Sequence, residues 1–515
     1  VSPQVREYER FSTTVANAYI KPLIEKYLLN FLSELEKKNI NCPAFLMHSG
    51  GGVMSFQDAI KFPVRLVESG PAGGAMFAAD LASRYGLKKI LSFDMGGTTA
   101  KICLIDDYKP KTSRVFEVAR TYRFKKGSGI PISIPVIDMV EIGAGGGSLA
   151  NVDSLNQIRV GPKSAGSDPG PACFNKGGKN VTVTDADLLL GKLDPKNFAG
   201  GSIELNPSFS KTVAEKDIGQ NLQMGSNEAA WGISEVVDEN MANAARVHAI
   251  ENGQDLSDYT MIAFGGAAPL HASRLCEKIG INRCIIPKGA GVGSAIGFLK
   301  APYSFEASRS IFMRLSQFDA DLAEKIFVDM EKEASNFVRS CDENSQLISN
   351  FKVYMRYSGQ GWEIPISFLR KEIKNPSKEV FQKRFEEDYK KLFGRAVFGM
   401  QIEIVVWAVN TFTPLPEVKA EPELVEIKKI ETKNNCNFFD TGLGKNVQAI
   451  RINRDKINKK SWLKGPAIIS EKETATIVSS NFSILVREDE CLDIRLDFQE
   501  NNFSDFSQSK RGCDE

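Results

Sequence analysis

Apolar residues recur at helical spacing near the start of the chain, over residues 12–38. Such spacing predicts a long amphipathic helix, with Ser12 and Thr13 as its N-terminal caps and a kink at Pro22. A second helical pattern covers residues 226–252 and is followed by a glycine. Helices of this length are expected to pack one apolar face against a core.

Apolar strands alternate with glycine turns and helices through much of the chain. Residues 64–86 predict a short strand, a glycine loop (SGPAGG) and an Ala-rich helix, and residues 259–297 predict strand, Gly-Gly turn, helix, strand, loop and helix. Alternation of this kind is typical of an α/β fold. After about residue 305, charged helical segments at 320–340 and 375–394 alternate with β-branched strands, which predicts an α+β region.

The chain has 515 residues, enough for more than one hydrophobic core. The change in pattern places a domain boundary near residue 305. We therefore predict an α/β domain at 1–305, a smaller α+β domain at 306–498 and a flexible tail at 499–515, where apolar periodicity ends.

Charge and composition exclude several classes of protein. Lys and Arg number 65 against 64 Asp and Glu, a formal charge of +1, so no overall field attracts nucleic acid or an anionic membrane. Apolar runs stay well short of the ~20 residues that span a bilayer. Nine cysteines without a CxxC pair and three separated histidines argue against a disulfide framework and a zinc site. We expect a cytoplasmic protein without nucleic-acid or membrane partners.

The stretch SFDMGGTTAKICLI, residues 92–105, predicts a strand, a tight glycine turn and a second strand. Glycines let phosphate oxygens approach backbone N–H groups, and the threonine hydroxyls can donate hydrogen bonds. Asp94, at the end of a buried strand, is suited to holding Mg²⁺ through water, and Lys101 to pairing with a phosphate. An ordinary β-hairpin with an Asp-x-Gly turn explains the same residues equally well.

Two further glycine turns also follow apolar strands, in EIGAGGGS and in FGGAAPLHA. Open α/β sheets bind ligands at the carboxyl ends of their strands, so we expect these turns to surround one crevice. The sequence predicts that Asp94 and its turn share this crevice with Gly265 and Gly266. We further predict that the loops 143–148 and 164–173 form its substrate side, because long irregular segments in a compact domain are usually functional.

Six segments stand in the order and spacing of a known family: HSGGGVMS, ESGPAGGA, FDMGGTTAKI, EIGAGGGSLA, GPKSAGSDPGPACF and AFGGAAPLHA. The chain resembles the hydantoinase A/5-oxoprolinase family over about 1–300. This family includes the nucleotide-binding subunits of acetone and acetophenone carboxylases. The resemblance implies an α/β, actin-like ATPase (RNase H-like) lobe with glycine-rich loops, followed by a smaller α+β C-terminal domain, with ATP and Mg²⁺ as cofactors.

The resemblance and the residue chemistry together give a set of candidate site residues. The residues predicted to bind nucleotide are Asp94, Gly96, Gly97, Thr98, Thr99, Lys101, Gly265, Gly266 and Ala267, and Asp94 is also the predicted metal ligand. Asp138 and Glu141 flank the GAGGGS loop and are the predicted catalytic groups, acting on the substrate or a metal. Strand-end capping or ordinary surface positions remain the alternative for these two acids.

The resemblance implies an ATP-dependent hydrolase that opens a cyclic amide of the hydantoin, N-methylhydantoin or 5-oxoproline type through a phosphorylated intermediate. It also implies a partner subunit of the hydantoinase B type. Two alternatives remain open, a nucleotide-binding subunit of an acetone or acetophenone-type carboxylase and a non-catalytic actin-like nucleotide-binding module. Full-length members carry an earlier domain with a second phosphate loop, and no such loop precedes residue 94. We therefore expect a fragment, or a lobe supplied by another polypeptide, and little ATPase activity from this chain alone.

Other reactive side chains are expected to be structural. Cys173 has no histidine near it in sequence and is predicted to be a small packed thiol. Asp185 and Asp187 are predicted to cap a helix, although their spacing also suits a solvated Mg²⁺. His48 and His271 are predicted to be structural histidines, with stacking near a nucleotide base as an alternative for His271.

Overall fold

The computed structural model describes residues 1–2, 6–119, 127–414, 427–432 and 434–496. The predicted tail at 499–515 lies outside the described residues. The chain forms two compact units, each built from three separate segments of sequence. The first unit comprises the described residues of Val1–Ala72, Thr112–Ile137 and Lys300–Glu417, and the second those of Gly73–Lys111, Asp138–Leu299 and Val418–Glu515.

These units differ from the continuous domains that the sequence predicted, 1–305 and 306–498. The chain leaves the second unit at Leu299, close to the predicted boundary, but it enters that unit again after Glu417. The physical reason is strand pairing, because the last strands of the chain extend the central sheet of the second unit. The assignment of 1–305 as a family domain stays a prediction.

Twelve α-helices form within the described residues. They are α1 (Glu7–Lys37), α2 (Phe56–Lys61), α3 (Ser69–Tyr85), α4 (Val183–Leu189), α5 (Pro207–Ala214), α6 (Gln220–Leu222), α7 (Ser226–Glu251), α8 (Ala268–Ile279), α9 (Gly293–Phe298), α10 (Ala320–Cys341), α11 (Arg370–Lys374) and α12 (Lys378–Phe393). The predicted helices at 226–252, 320–340 and 375–394 are confirmed as α7, α10 and α12. None of the helices in the described parts of the chain combines the length and apolar character needed to cross a membrane.

Strands occur throughout the described residues. In the first half they are β1 (Phe45–Met47), β2 (Val53–Ser55), β3 (Lys89–Met95), β4 (Ala100–Asp106), β5 (Lys109–Pro110), β6 (Thr112–Ser113), β7 (Phe116–Val118), β8 (Ile130–Ile132), β9 (Val136–Ile137), β10 (Met139–Ile142), β11 (Ser148–Val152) and β12 (Ile158–Ser164). In the second half they are β13 (Thr260–Phe264), β14 (Arg283–Ile286), β15 (Ser304–Arg309), β16 (Met313–Arg314), β17 (Ile348–Tyr357), β18 (Ile364–Phe368), β19 (Ile402–Phe412), β20 (Lys428–Lys429), β21 (Asn435–Asp440), β22 (Lys445–Asn453), β23 (Ser461–Lys464), β24 (Ala467–Ser470), β25 (Ala475–Val478), β26 (Phe482–Val486) and β27 (Leu492–Leu496).

The second unit is organised around a ten-stranded sheet of order β10-β4-β3-β13-β14-β27-β26-β23-β20, with β5 paired to β4. Strands β3, β13 and β14 are parallel, so their carboxyl ends meet at one edge of the sheet. Every residue of β13 is buried, as expected for a strand covered on both faces. β27 pairs antiparallel to β14 and covers what would otherwise be an exposed strand edge.

The first unit contains a five-stranded sheet of order β15-β19-β17-β18, with β16 also paired to β19. Its core is aromatic, and α10 and α12 contribute Phe327, Phe381 and Phe385 to the same buried cluster as Trp407 of β19 and Tyr357 of β17. Between residues 304 and 412, helices and strands thus combine as the sequence predicted, and the predicted domain at 306–498 stays a prediction.

The start of α1 differs from the prediction. The helix begins at Glu7, so Ser12 and Thr13 lie inside it and do not cap it. Thr13 is buried, its hydroxyl donates to the carbonyl of Glu9 at 2.6 Å, and it accepts a hydrogen bond from the N–H of Ser133 at 2.7 Å. Its polar group therefore fixes α1 to the residue that follows β8. The kink at Pro22 stays a prediction.

The glycine loop predicted in SGPAGG is wrong, because these residues form the first turns of α3 and the segment before them is a short 3₁₀ helix, not a strand. A Cβ on Gly73 would lie 2.5 Å from the ring of Phe298, and one on Gly74 would lie 2.6 Å from the ring of Phe264. These glycines allow close helix packing and do not form a turn.

Candidate functional site

The first site element is the turn between β3 and β4. Asp94 stands opposite Lys101 in the strand register, and the N–H of Gly96 donates to the carbonyl of Thr99 at 3.1 Å to close the turn. Gly97, in the middle, is exposed to solvent, and a Cβ there would meet nothing within 4 Å. The predicted strand–turn–strand unit is confirmed, with open space over its tip.

The second element is the glycine turn that joins β13 to α8. Gly265 has a φ of +98°, which favours glycine, and a Cβ on it would lie 2.5 Å from the carbonyl oxygen of Met95 and 2.6 Å from Oδ1 of Asp94. The N–H of Ala267 donates to the same Met95 carbonyl at 2.9 Å. The two predicted turns are therefore in direct contact at the carboxyl ends of parallel neighbouring strands.

The third element is the GAGGGS loop, residues 143–148. A Cβ on Gly145 would lie 2.6 Å from the carbonyl carbon of Gly97 and from the nitrogen of Thr98. The N–H of Gly147 donates to the carbonyl of Gly97 at 2.6 Å. This loop therefore lies directly on the backbone of the first turn, as the sequence predicted.

The segment 164–173 begins at the same place. The N–H of Ala165 donates to the carbonyl of Gly147 at 2.8 Å, and a Cβ on Gly147 would lie 2.9 Å from Oγ of Ser164. The start of this segment thus contacts the GAGGGS loop. Its predicted place beside the crevice is confirmed for these residues.

Asp94 accepts a hydrogen bond from the hydroxyl of Ser294, in the first turn of α9, with 2.6 Å between Ser294 Oγ and Asp94 Oδ2. Burial raises the pKa of Asp94, and the Ser294 hydrogen bond and the charge of Lys101 oppose that shift in part. Sequence reasoning missed Ser294 because 200 residues separate it from its partner. A hydroxyl among glycines gives no signal of its own.

Glu141 lies at the same sheet edge as the first turn. It stands opposite Lys101 in the pairing of β10 with β4, and its Oε1 lies 3.2 Å from Nζ of Lys101. Nζ of Lys101 also contacts Oγ1 of Thr99. Three predicted site residues are therefore brought together beside Asp94.

Asp138 is not brought to this edge. Ile142 pairs with Ala100, next to the turn, and Asp138 precedes the opposite end of the same strand. At about 3.3 Å per residue, that places it roughly 13 Å from Ile142. Its N–H donates to the carbonyl of Lys111 at 2.8 Å, near the far end of the sheet. The register thus separates Asp138 from the turn, and its catalytic role stays a prediction.

The N-cap of α4 is Thr182, and the predicted capping residue Asp185 instead lies in the first turn, where its carboxylate accepts from the N–H of Thr182 at 3.0 Å in a capping box. Its carboxylate accepts hydrogen bonds from Thr182 Oγ1 at 2.7 Å, from Ser210 Oγ at 2.7 Å and from the N–H of Cys173 at 2.8 Å. Cys173 is buried, and burial raises the pKa of its thiol, as expected for a packed and unreactive group. Within α4, Thr184 donates from both its N–H and its hydroxyl to the carbonyl of Gly146, so this helix holds the GAGGGS loop.

Asp187 lies inside α4 and does not cap it. It forms a buried ion pair with Lys192 at 2.8 Å and lies 3.3 Å from Nε2 of His271, whose Nδ1 lies 2.8 Å from Asp238. Burial opposes both charges, but the partners outweigh it, lowering the pKa of Asp187 to about 2 and raising that of His271 to about 9. His271 is structural, as predicted, and joins α4, α7 and α8.

His48, in the first unit, also has a structural setting. Its Nδ1 accepts from the N–H of Gly50 at 3.1 Å, and its Nε2 lies 3.4 Å from Oγ of Ser304. Burial, followed by the charge of Arg65, lowers its pKa to about 4. A neutral imidazole thus closes the SGGG turn.

A segment that the sequence assigned to the C-terminal domain also contributes to the crevice. The loop between β24 and β25 places the hydroxyl of Thr474 3.0 Å from the carbonyl oxygen of Gly266, to which it donates. The β24–β25 hairpin follows Gly266 by some two hundred residues. Local pattern therefore gave no indication of this contact.

At the turn between β3 and β4 the protein offers a metal ion one carboxylate, that of Asp94. In the part of the chain that the structure describes, no three His, Cys, Asp or Glu side chains cluster as metal ligands. Mg²⁺ usually keeps several waters and takes one or two protein carboxylates plus substrate phosphates. The half-buried Asp94 beside an open glycine turn fits that donor set.

Comparison with known proteins agrees with this geometry. The family model described as Hydantoinase/oxoprolinase matches residues 10–307. An uncharacterized protein of Methanocaldococcus jannaschii is 34% identical over 502 residues, covering 96% of this chain and 71% of the relative. Caprolactamase subunit alpha of Pseudomonas jessenii is 29% identical over 493 residues, covering 94% and 69%. Acetophenone carboxylase gamma subunit of Aromatoleum aromaticum is 33% identical over 337 residues, covering 64% and 43%.

The fold is also shared with a solved structure. The crystal structure of the ATP-dependent caprolactamase from Pseudomonas jessenii superposes with a TM-score of 0.79 at 26% identity, over 96% of this chain and 71% of that one. The chain thus has the mixed α/β fold of that protein and spans about seven-tenths of its length. Since the family model matches more than half of the sequence, the chain belongs to the hydantoinase/oxoprolinase family.

Proposed function

We propose that this chain is the nucleotide-binding subunit of an ATP-dependent hydrolase that opens a cyclic amide. The observation that carries the proposal is the direct contact between the Asp94 turn and the Gly265 turn at the carboxyl ends of β3 and β13. Similarity to an ATP-dependent caprolactamase along almost the whole chain supports the substrate class.

Each of the two glycine turns would contact a different part of the nucleotide. Gly97 and Thr98 are exposed at the tip of the first turn, where phosphate oxygens can approach the backbone. Gly265 to Ala267 precede the N-terminus of α8, a twelve-residue helix whose dipole favours anions. The second unit would then be the actin-like ATPase lobe that the sequence predicted.

Mg²⁺ would be held by Asp94 together with phosphate oxygens and water. A bound Mg²⁺ supplies charge neutralisation for phosphoryl transfer. Lys101 adds a second positive charge at the same edge, held in place by Glu141 and Thr99. Ser294 fixes the orientation of Asp94 through its hydrogen bond.

The reaction would proceed by phosphoryl transfer to the amide. The amide oxygen bonds to the γ-phosphorus as the bond to the ADP oxygen breaks, and the ring nitrogen loses its proton. Two water molecules then complete the hydrolysis, breaking the ring C–N bond and releasing phosphate and the open-chain acid. Such chemistry depends on positioning and charge neutralisation more than on a protein nucleophile.

Of the predicted catalytic pair, Glu141 remains in the proposal and Asp138 does not. The Glu141 side chain is 47% exposed at the crevice edge, where it can face the substrate. Asp138 lies about four strand residues away from that edge.

A companion subunit completes the proposed enzyme. The relative from Pseudomonas jessenii is named as a subunit, which supports the predicted partner of the hydantoinase B type. Similarity to a subunit of acetophenone carboxylase favours a second candidate, phosphorylation of a ketone enol or bicarbonate in a carboxylase. A cytoplasmic location stays a prediction.

The test is substrate-dependent ADP release from the chain purified with its companion subunits. We expect release with caprolactam, a hydantoin or 5-oxoproline, and none in the Asp94→Asn variant. Release only with acetone or acetophenone plus bicarbonate would support the carboxylase candidate. Absence of release with every substrate, despite a folded complex, would count against both.

A further inference from the structure

The loop at 471–474, which joins β24 to β25, is attached to the nucleoside side of the crevice. It is a tight turn, with the N–H of Glu471 donating to the carbonyl of Thr474 at 2.9 Å. Thr474 is buried, and its hydroxyl donates to the carbonyl of Gly266 at 3.0 Å. This hydrogen bond thus holds the loop against the Gly265–Gly266 turn.

A third segment fits against the same loop. A Cβ on Gly291 would lie 2.3 Å from Cβ of Glu473, a distance that real Cβ atoms do not reach, so this contact requires glycine. The preceding residue, Ala290, accepts a hydrogen bond from the N–H of Gly265 at 2.7 Å. Three segments far apart in sequence therefore meet around the backbone of Glu473.

A buried arginine locks the loop to the end of β14. Arg454 donates to the carbonyls of Ile286 at 3.0 Å and Pro287 at 3.1 Å, the last residue of β14 and the one after it. The same guanidinium forms an ion pair with Glu471, at the start of the loop. The loop is therefore held at the carboxyl end of a strand, where α/β sheets bind ligands.

The two middle residues of this anchored loop, Lys472 and Glu473, are exposed to solvent. Because β3 and β14 are separated by β13, their ends lie roughly 10 Å apart, two strand spacings. Glu473 is thus on the side of the crevice away from the phosphate turn. A carboxylate there would repel phosphate, but it can accept hydrogen bonds from sugar hydroxyls, as acidic residues do at other nucleotide sites.

We propose that the 471–474 loop is a third wall of the nucleotide crevice and that Glu473 determines specificity by accepting a hydrogen bond from a ribose hydroxyl. Thr474 is a positioning residue that holds the loop against Gly266. This inference rests on the proposed function, since it adds the sugar contact to the phosphate contacts made by the Asp94 turn.

The experiment compares three ligands on the full chain by isothermal titration calorimetry with Mg²⁺: ATP, 2′,3′-dideoxy-ATP and tripolyphosphate. A charge-assisted hydrogen bond leads us to expect ATP to bind about tenfold or more tightly than the dideoxy nucleotide. In Glu473→Ala this preference should disappear, while affinity for tripolyphosphate stays the same. Glu488→Ala, at a partly exposed carboxylate that pairs with Lys460 in the loop between β26 and β27, should behave as the wild type.

A second pair of variants tests the anchoring. Thr474→Val removes the hydroxyl that donates to Gly266, so it should reduce the preference for ATP over 2′,3′-dideoxy-ATP. Thr474→Ser keeps the hydroxyl and should keep the preference. A merely structural role would instead change the melting temperature without changing the ratio of the two nucleotide affinities.

The outcomes separate this inference from the proposed function. The role of Glu473 is overturned if the wild type binds tripolyphosphate but binds ATP no more tightly than 2′,3′-dideoxy-ATP. It is also overturned if Glu473→Ala still binds ATP more tightly than the dideoxy nucleotide. In both cases the proposed phosphate site stands. If the wild type binds none of the three ligands, the proposed function fails and the inference fails with it.

Discussion

The core of the first unit and the crevice of the second unit are built in opposite ways. In the first, large rings fill the space, with the ring centroid of Trp407 lying 5.3 Å from that of Phe327 and 6.0 Å from that of Phe381. In the second, strand ends and loops meet through bare backbone, and a Cβ on Gly145 or Gly265 would lie 2.5–2.6 Å from other backbone atoms.

Under the proposed function, the first region provides stability and the second binds the ligand. A core of rings gains its stability from buried apolar area and tight packing. A crevice lined by glycines buries little side chain, but it brings several backbone segments within reach of one ligand. The first region should therefore be sensitive to loss of atoms, and the second to their addition.

The largest effect is expected from Trp407→Ala in the first unit. Trp407 is fully buried, and removing a buried aromatic ring leaves a cavity, so the free energy of unfolding should fall by about 3–5 kcal/mol. Nucleotide affinity measured below the melting temperature should stay unchanged. Trp362→Ala, at a side chain that is 78% exposed, is the matched control and should change stability by less than about 0.5 kcal/mol. Equal effects of the two substitutions would contradict the claim that the buried rings stabilise the first unit.

The next effect concerns the buried charges of the second unit. The pKa of His271 rises from an ordinary value of 6.5 to about 9, so its stabilising protonation is complete below pH 6.5 and is lost as the pH rises through 9. Unfolding free energy should fall by up to about 1.4 kcal/mol per pH unit across that window.

Denaturant titrations of the wild type and His271→Gln, repeated from pH 6 to pH 10, measure this contribution as the difference between the two proteins. The difference should shrink as the pH rises. A difference that is independent of pH would show that His271 is neutral in the folded protein.

A smaller effect on stability, but a large one on binding, is expected from Gly145→Ala. The added methyl group would overlap the backbone of Gly97 and Thr98, at a cost of about 1–3 kcal/mol in stability. Because the turn proposed to bind phosphate must shift, ATP affinity should fall by about tenfold or more. Gly70→Ala, where a Cβ meets nothing within 4 Å, should leave affinity unchanged. Full affinity in Gly145→Ala would show that the GAGGGS loop does not shape the crevice.

Sequence pattern alone predicted the elements that are local. The apolar run, glycine turn and apolar run of residues 92–105 became β3, its turn and β4, and periodicity predicted α7 almost to the residue. The prediction was wrong for SGPAGG, because the sequence does not distinguish a glycine that permits close packing from a glycine that forms a turn. The neighbouring rings of Phe298 and Phe264, which are distant in sequence, distinguish the two uses.

Long-range pairing decided the rest of the site. Asp138 and Glu141 look equivalent beside the glycine loop, but the register of β10 on β4 brings only Glu141 to the crevice edge. Ser294 and Thr474 reach the site from about two hundred residues away, and their hydroxyls carry no local signal. Register and distant contacts of this kind depend on the packed sheet and not on any single segment.

The most direct test of the account is the Mg²⁺ dependence of ATP binding to the chain and to its Asp94→Asn variant. Asparagine keeps the size of the side chain and can still accept the hydrogen bond from Ser294, but it lacks the charge that would hold Mg²⁺. Asp107→Asn, in the turn that follows β4, is the matched control. We predict that the wild type and the control bind ATP at least tenfold more tightly with Mg²⁺ than with a chelator, and that Asp94→Asn binds equally weakly in both. Full Mg²⁺-dependent affinity in Asp94→Asn, or no ATP binding by the wild type, would contradict the assignment of this turn as the nucleotide site.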